Sequence, residues 1–166
     1  TDGSSQCNWN PQPAPASGGG AARIDVFNAY NRVAVFGASQ DTTTSWSYNG
    51  GWRSSNNSTS NRISFVDGLG VLHAFALFAG PPANGGANNA AGGVVLNSTS
   101  SSPVHWAVLA CGGVSYYNSS AIGRFAPSLG YNYVQALEYS TGSTTFQNQA
   151  IATGAYSSYL TLDLEI

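Results

Sequence analysis

At 166 residues the chain has the length of one domain and can bury a substantial core. Only 7% of its residues are charged, against roughly 25% in an ordinary soluble domain, while 42% are hydrophobic. A formal charge of -2, with five scattered arginines and no lysine, argues against nucleic acid, which needs a basic footprint, and against electrostatic binding to anionic membranes.

Residues 1–22 read as an arm. Spaced prolines at Pro11, Pro13 and Pro15 favour extended polyproline conformations, and Gly18 to Gly20 form a flexible run. Trp9, close to Cys7, is a large apolar anchor, so docking of the arm on another surface is the preferred expectation, with a disordered leader as the alternative. Cys7 and Cys111 are either a disulfide tethering the arm to the domain or two free thiols.

Residues 23–166 predict one all-β domain. Arg23 to Phe27 and Arg32 to Phe36 are short β-branched and aromatic runs, and Gly37 to Thr44 predicts a turn. Ser45 to Tyr48 alternates small polar with aromatic residues. Asn49-Gly50-Gly51 is a strong turn signal, because Asn and Gly accept positive φ. Asn61 to Val66 is the next strand, and Val71 to Phe78 a nearly continuous apolar one. Residues 80–93, rich in Gly, Pro and Asn, predict a long loop. Strands follow at Gly93 to Leu96, Val104 to Ala110 and Val114 to Tyr117.

The most distinctive stretch is Gly130 to Tyr139, followed by Ser140-Thr141-Gly142-Ser143 and Thr144 to Gln147. It predicts a hairpin whose first strand places Tyr131, Tyr133, Leu137 and Tyr139 on one face and Val134, Ala136 and Glu138 on the other. Neither face is wholly polar, so both are expected to be covered, and Tyr131, Tyr133 and Tyr139 are candidate subunit contacts. Tyr159 to Ile166 alternates cleanly, with Leu160, Leu162, Leu164 and Ile166 inward. No stretch carries a capped helical period. The expected fold is an antiparallel β-sandwich or jelly roll with an extended N-terminal arm.

Residues for catalysis are scarce. His73 and His105 lie in apolar runs, read as core or interface imidazoles, without a nucleophile elbow or metal-ligand spacing. The glycine clusters open no helix and so imply no phosphate loop. No enzyme, cofactor or metal is expected. Trp46, Tyr48 and Trp52 flank the Asn49–Gly51 signal. They are either a sugar-stacking platform or core and interface anchors. Asn56, Asn57, Asn97 and Asn118 head glycosylation acceptor patterns that arise by chance in so Asn- and Ser-rich a chain.

Several blocks, in order, resemble small virion proteins of tailed bacteriophages, found as head decoration or fibre proteins and as tail-fibre modules. They are Arg32-Val-Ala-Val-Phe36, Ser45-Trp-Ser-Tyr48 with Trp52-Arg53, Asn61-Arg-Ile-Ser-Phe-Val66, Val95-Leu-Asn-Ser-Thr-Ser100 and Leu129 to Tyr139. The resemblance implies a non-enzymatic sandwich, trimeric, on the surface of a virion, with a major capsid or tail protein as partner. It agrees with a charge-poor surface, since fixed charges would have to be desolvated at subunit contacts. The alternative expectation is a secreted, extracellular carbohydrate-binding module. Host or environmental glycans are candidate partners under either reading.

Overall fold

The structure, a computed structural model, describes residues 22–24, 34–68, 73–81, 83–84, 88–103, 105–110, 120–148, 150–151, 154–155 and 158–165. The arm, with Cys7 and Trp9, lies outside these residues, as do Cys111 and the strand expected at Val114 to Tyr117.

The strands are β1 (Ala22–Ile24), β2 (Ala34–Asp41), β3 (Ser45–Ser54), β4 (Arg62–Asp67), β5 (Ala74–Ala79), β6 (Ala83–Asn84) and β7 (Asn89–Leu96). They continue with β8 (His105–Ala110), β9 (Ser120–Phe125), β10 (Gly130–Gln147), β11 (Ala150–Ile151), β12 (Gly154–Ala155) and β13 (Ser158–Glu165). Among the described residues there is no α-helix, and Ser55–Asn57 make one 3-10 turn. One sheet runs β1-β4-β10-β7-β8, with β3 and β6 also joined to β10; the other runs β2-β13-β5-β9. β11 and β12 pair with each other, and every pairing is antiparallel except β1 on β4. The two sheets pack face to face, so the expected β-sandwich is the fold.

The core between them follows the alternation of the strands. β13 turns Leu160, Leu162 and Leu164 inward, as its sequence predicts, onto Ile63 and Phe65 of β4 and Val134 and Ala136 of β10. β5 contributes Ala74, Ala76 and Phe78, and β9 contributes Ala121. β9 has no strong sequence signal. Its inward residues are small and its outward ones include Ile122 and Arg124, the reverse of the usual pattern.

The expected hairpin at Ser140 to Ser143 does not form. β10 is one strand of 18 residues, paired with β4 from Gly130 to Gln135 and with β3 from Leu137 to Gln147. The Asn49-Gly50-Gly51 signal likewise opens no turn but lies within β3. The two signals meet: Ser140 is opposite Gly50, and the register shifts on either side of that pair. Gly51 and Trp52 stand opposite Tyr139 alone, and Thr141, Gly142 and Ser143 opposite Asn49 alone. These are β-bulges, which use the same small, turn-competent residues as hairpins do. Gly50 has φ +152°, and a Cβ there would fall 2.8 Å from the Tyr48 hydroxyl oxygen.

Two further boundaries differ from expectation. β2 continues to Asp41, so the turn predicted from Gly37 shrinks to residues 42–44. β7 starts at Asn89, inside the predicted loop. Its Ala90-Ala91-Gly92-Gly93 segment has poor strand propensity but suits crowding from above: a Cβ on Gly93 would lie 2.5 Å from Pro103 Cγ and 3.2 Å from the Trp52 ring.

Candidate functional site

The bulge in β3 decides where its aromatic residues go. Trp46 and Tyr48 pack on the inner side of the first sheet, with Phe146, Ala83 and Ala90. The Trp46 and Phe146 rings stack with centroids 5.9 Å apart, inclined by 15°. The Trp46 indole N–H donates to Glu138 Oε2 at 2.7 Å, and Arg53 Nε donates to Glu138 Oε1 at 2.6 Å. The Arg53 guanidinium also lies 3.6 Å from the centre of the Tyr48 ring, a cation–π contact. Tyr48 in turn donates its hydroxyl proton to the Gly51 carbonyl at 2.6 Å.

Glu138 is 1% exposed. Burial pushes its carboxyl above the ordinary carboxylate value, against the opposing pull of the Asn56 backbone, the Trp46 indole and Arg53. Both oxygens are engaged by fixed donors, so the group is an internal lock between β3 and β10 and not an acid or base presented to a cleft.

Past the bulge, Trp52 lies on the opposite, outer side of the same sheet. Its ring centroid is 5.2 Å from that of Tyr139, at 36°. Trp46, Tyr48 and Trp52 therefore do not make one platform; the sequence-adjacent trio is divided between two faces, and Trp52 is joined by Tyr139. Around this second pair is a groove of about 300 Å³, lined also by Asn89, Ala90, Ala91, Ser102 and Thr141. Thr141, one of the bulged residues, accepts the Asn89 backbone N–H on its hydroxyl at 2.9 Å. Among the described residues the lining holds hydroxyls, an amide and two aromatic rings, with no carboxylate, guanidinium, amine or imidazole.

Tyr131 and Tyr133 lie further along the same outer face. Tyr131 is 58% exposed, with its ring 6.3 Å from that of Tyr133 and its hydroxyl 2.9 Å from Ser64 Oγ. The Arg62 guanidinium sits 4.3 Å from the centre of the Tyr133 ring. Tyr139 is thus separate in role from these two, although all three share a strand face.

Sequence reasoning missed two amide-centred networks. The carboxylate of buried Asp41 accepts from the Thr43 N–H at 2.9 Å, from Asn56 at 3.1 Å and from Asn61 at 3.0 Å. Asn148 donates to the carbonyls of Asp41 and Thr43, both at 3.0 Å, and accepts the Ser158 N–H at 2.8 Å. This joins the ends of β2, β10 and β13. At the other end, Asn97 donates to Asn132 Oδ1 and accepts the Tyr133 N–H, so its amide is committed to the fold. Such amides carry no sequence signal, because their partners are remote in the chain. His73, expected in a core or interface, is exposed just before β5. Among the described residues no three His, Cys, Asp or Glu side chains come together as a metal site.

No known family model matches the chain, and no curated protein is significantly similar to it in sequence.

Proposed function

We propose that the chain is a non-enzymatic surface protein of a tailed-bacteriophage particle, a capsid decoration or fibre subunit, which associates with copies of itself. Residues 1–22 are its attachment to the major capsid or tail protein. The family resemblance and the charge-poor composition support this reading. The observation that carries it is the outer face of the second sheet.

In an antiparallel sandwich this face normally meets water and is polar. Here the cross-strand rows read Phe36–Asp163–Phe75–Arg124, Ala38–Thr161–Leu77–Ile122 and Gln40–Tyr159–Ala79–Ser120. Phe36 is 63% exposed, Ile122 55% and Tyr159 44%, with Phe75 and Leu77 half-buried between them. Large apolar side chains exposed on a sheet face in this way fit a contact with another protein. A closed three-fold ring needs two different surfaces on each subunit, because its contacts are heterologous. Leu129, 69% exposed just before β10, and Tyr131, 58% exposed on β10, are candidates for the second.

The mass of the purified protein in solution tests association. A trimer is expected, and Phe36→Thr with Ile122→Thr should convert it to a folded monomer. A wild-type protein that stays monomeric at about 100 μM, a concentration where even weak specific contacts populate, sinks the proposal. Deleting residues 1–20 should abolish incorporation into particles while the remainder still folds and associates. The alternative, a secreted carbohydrate-binding module, is favoured by one observation, the groove at Trp52 and Tyr139.

A further inference from the structure

We infer that the groove between Trp52, Tyr139, Asn89, Ser102 and Thr141 is a binding subsite for a neutral pyranose unit of a polysaccharide. This does not depend on the proposal above: the groove lies on the outer face of the first sheet, and the apolar association face belongs to the second.

The chemistry of the lining selects the ligand class. Sugars are uncharged, carry hydroxyls around the ring edge and present apolar C–H faces that lie flat on aromatic rings. Trp52 and Tyr139, inclined at 36°, form a corner that can take such a face. Asn89 and Ser102 are exposed, and together with Thr141 they supply amide and hydroxyl groups where the edge of the sugar would be. An anionic or cationic ligand would find no counter-charge among the described lining residues. A peptide adding as a strand would need an open edge, but β10 is paired on both sides with β3 and β7, and β7 on both sides with β10 and β8. A volume of about 300 Å³ is at the small end for ligand sites, which suits one ring of a longer chain better than a whole oligosaccharide.

The groove is also pre-formed, and the sequence explains how. Gly93 has no side chain to lift Trp52 from the sheet, so the indole rests over the β7 backbone beside Pro103 and against Tyr139. A platform fixed in this way loses little conformational entropy on binding. The extra residues of β10 bring Thr141 to the rim. Because its oxygen accepts the Asn89 N–H, its own hydroxyl proton remains for a ligand. Bulges that redirect a side chain beside a binding site are a recurring use of the motif.

Saturation-transfer NMR on the full chain tests this, with maltotetraose, cellotetraose, mannotetraose and tetra-N-acetylchitotetraose as neutral probes and polygalacturonate as the charged control. At least one neutral probe should bind with a dissociation constant between about 0.1 and 10 mM, the range of a single small subsite. Trp52→Ala and Tyr139→Ala should each weaken it about tenfold or more, a loss of ~1.4 kcal/mol. Asn89→Arg, placed at an exposed position, should block the groove without touching the core, so the test survives if Trp52→Ala fails to fold. Phe36→Thr with Ile122→Thr should bind as the wild type does. The inference is overturned if no neutral probe binds at about 10 mM, if only polygalacturonate binds, or if Asn89→Arg leaves binding unchanged.

Discussion

The inner side of β10 passes through two environments, one on each side of its bulges. Before them, Val134 and Ala136 pack with the leucines of β13 across the sandwich. At and beyond them, Glu138, Ser140 and Thr144 are just as buried, yet polar. The difference is not depth but supply of partners. Opposite Val134 and Ala136 the second sheet presents Leu160, Leu162 and Leu164, so a polar group there would lose its water and gain no partner from them. Over the distal half, β3 offers an indole N–H and a guanidinium, and the Ser140 and Thr144 hydroxyls bond each other. Burial by itself thus does not fix residue type along a strand.

That contrast can be broken first on its apolar side. Leu162→Ala, at a fully buried position, should cost about 4 kcal/mol in urea unfolding, since the sheets cannot close over the cavity. A loss below about 1 kcal/mol would mean that the sandwich interior is not the stable half. On the polar side, Arg53→Ala leaves the Glu138 carboxylate buried with only the indole and backbone donors, for a cost of about 3 kcal/mol. Adding Glu138→Gln should then restore part of that stability, because the remaining group is neutral. A double-mutant cycle with coupling under about 0.5 kcal/mol would show that the pair is not a lock. The smallest effect is pH-dependent. Burial raises the folded Glu138 carboxyl above 4.5, so the folded chain holds that proton more tightly than the unfolded one. Its contribution to stability falls as pH rises from 4.5 through the raised value and is level above it. Melting curves of wild type and Glu138→Gln should therefore diverge across that interval, with the wild type losing ground as pH rises.

How much of this was legible depended on whether the relevant neighbour was local. The alternation of Leu160, Leu162 and Leu164 needed no partner to be recognised, and it predicted both the strand and its buried face. Period-two reading also put Glu138 on the same face as Val134 and Ala136, which is correct. That the face turns polar there was not readable, because Arg53 lies 85 residues away. The turn signals at Asn49–Gly51 and Ser140–Ser143 were misread for a chemical reason: residues that permit a hairpin also permit a bulge, and only the opposing strand decides. The same bulge scrambled the aromatic site. Counting by two from Trp46 puts Trp52 beside Tyr48, but the extra residue in β3 sends it to the other face, against Tyr139, which the sequence pattern groups with Tyr131 and Tyr133 as a candidate subunit contact. Nothing local marks Asn148 or Asn97 as more than polar loop residues.

The strand order has a consequence for biosynthesis. The middle strand of each sheet comes late: β10 is hydrogen-bonded to β3, β4, β6 and β7, all made before it, and β13 slots between β2 and β5. A nascent chain that has left the ribosome only as far as β9 holds the flanking strands of two sheets without their centres. Its unpaired edges are open to one another and to neighbouring chains. Productive folding must then wait for β10 and β13, as expected for a topology built from distant pairings. During that interval the scarcity of charge that suits the finished surface leaves little electrostatic repulsion to keep the growing chains apart.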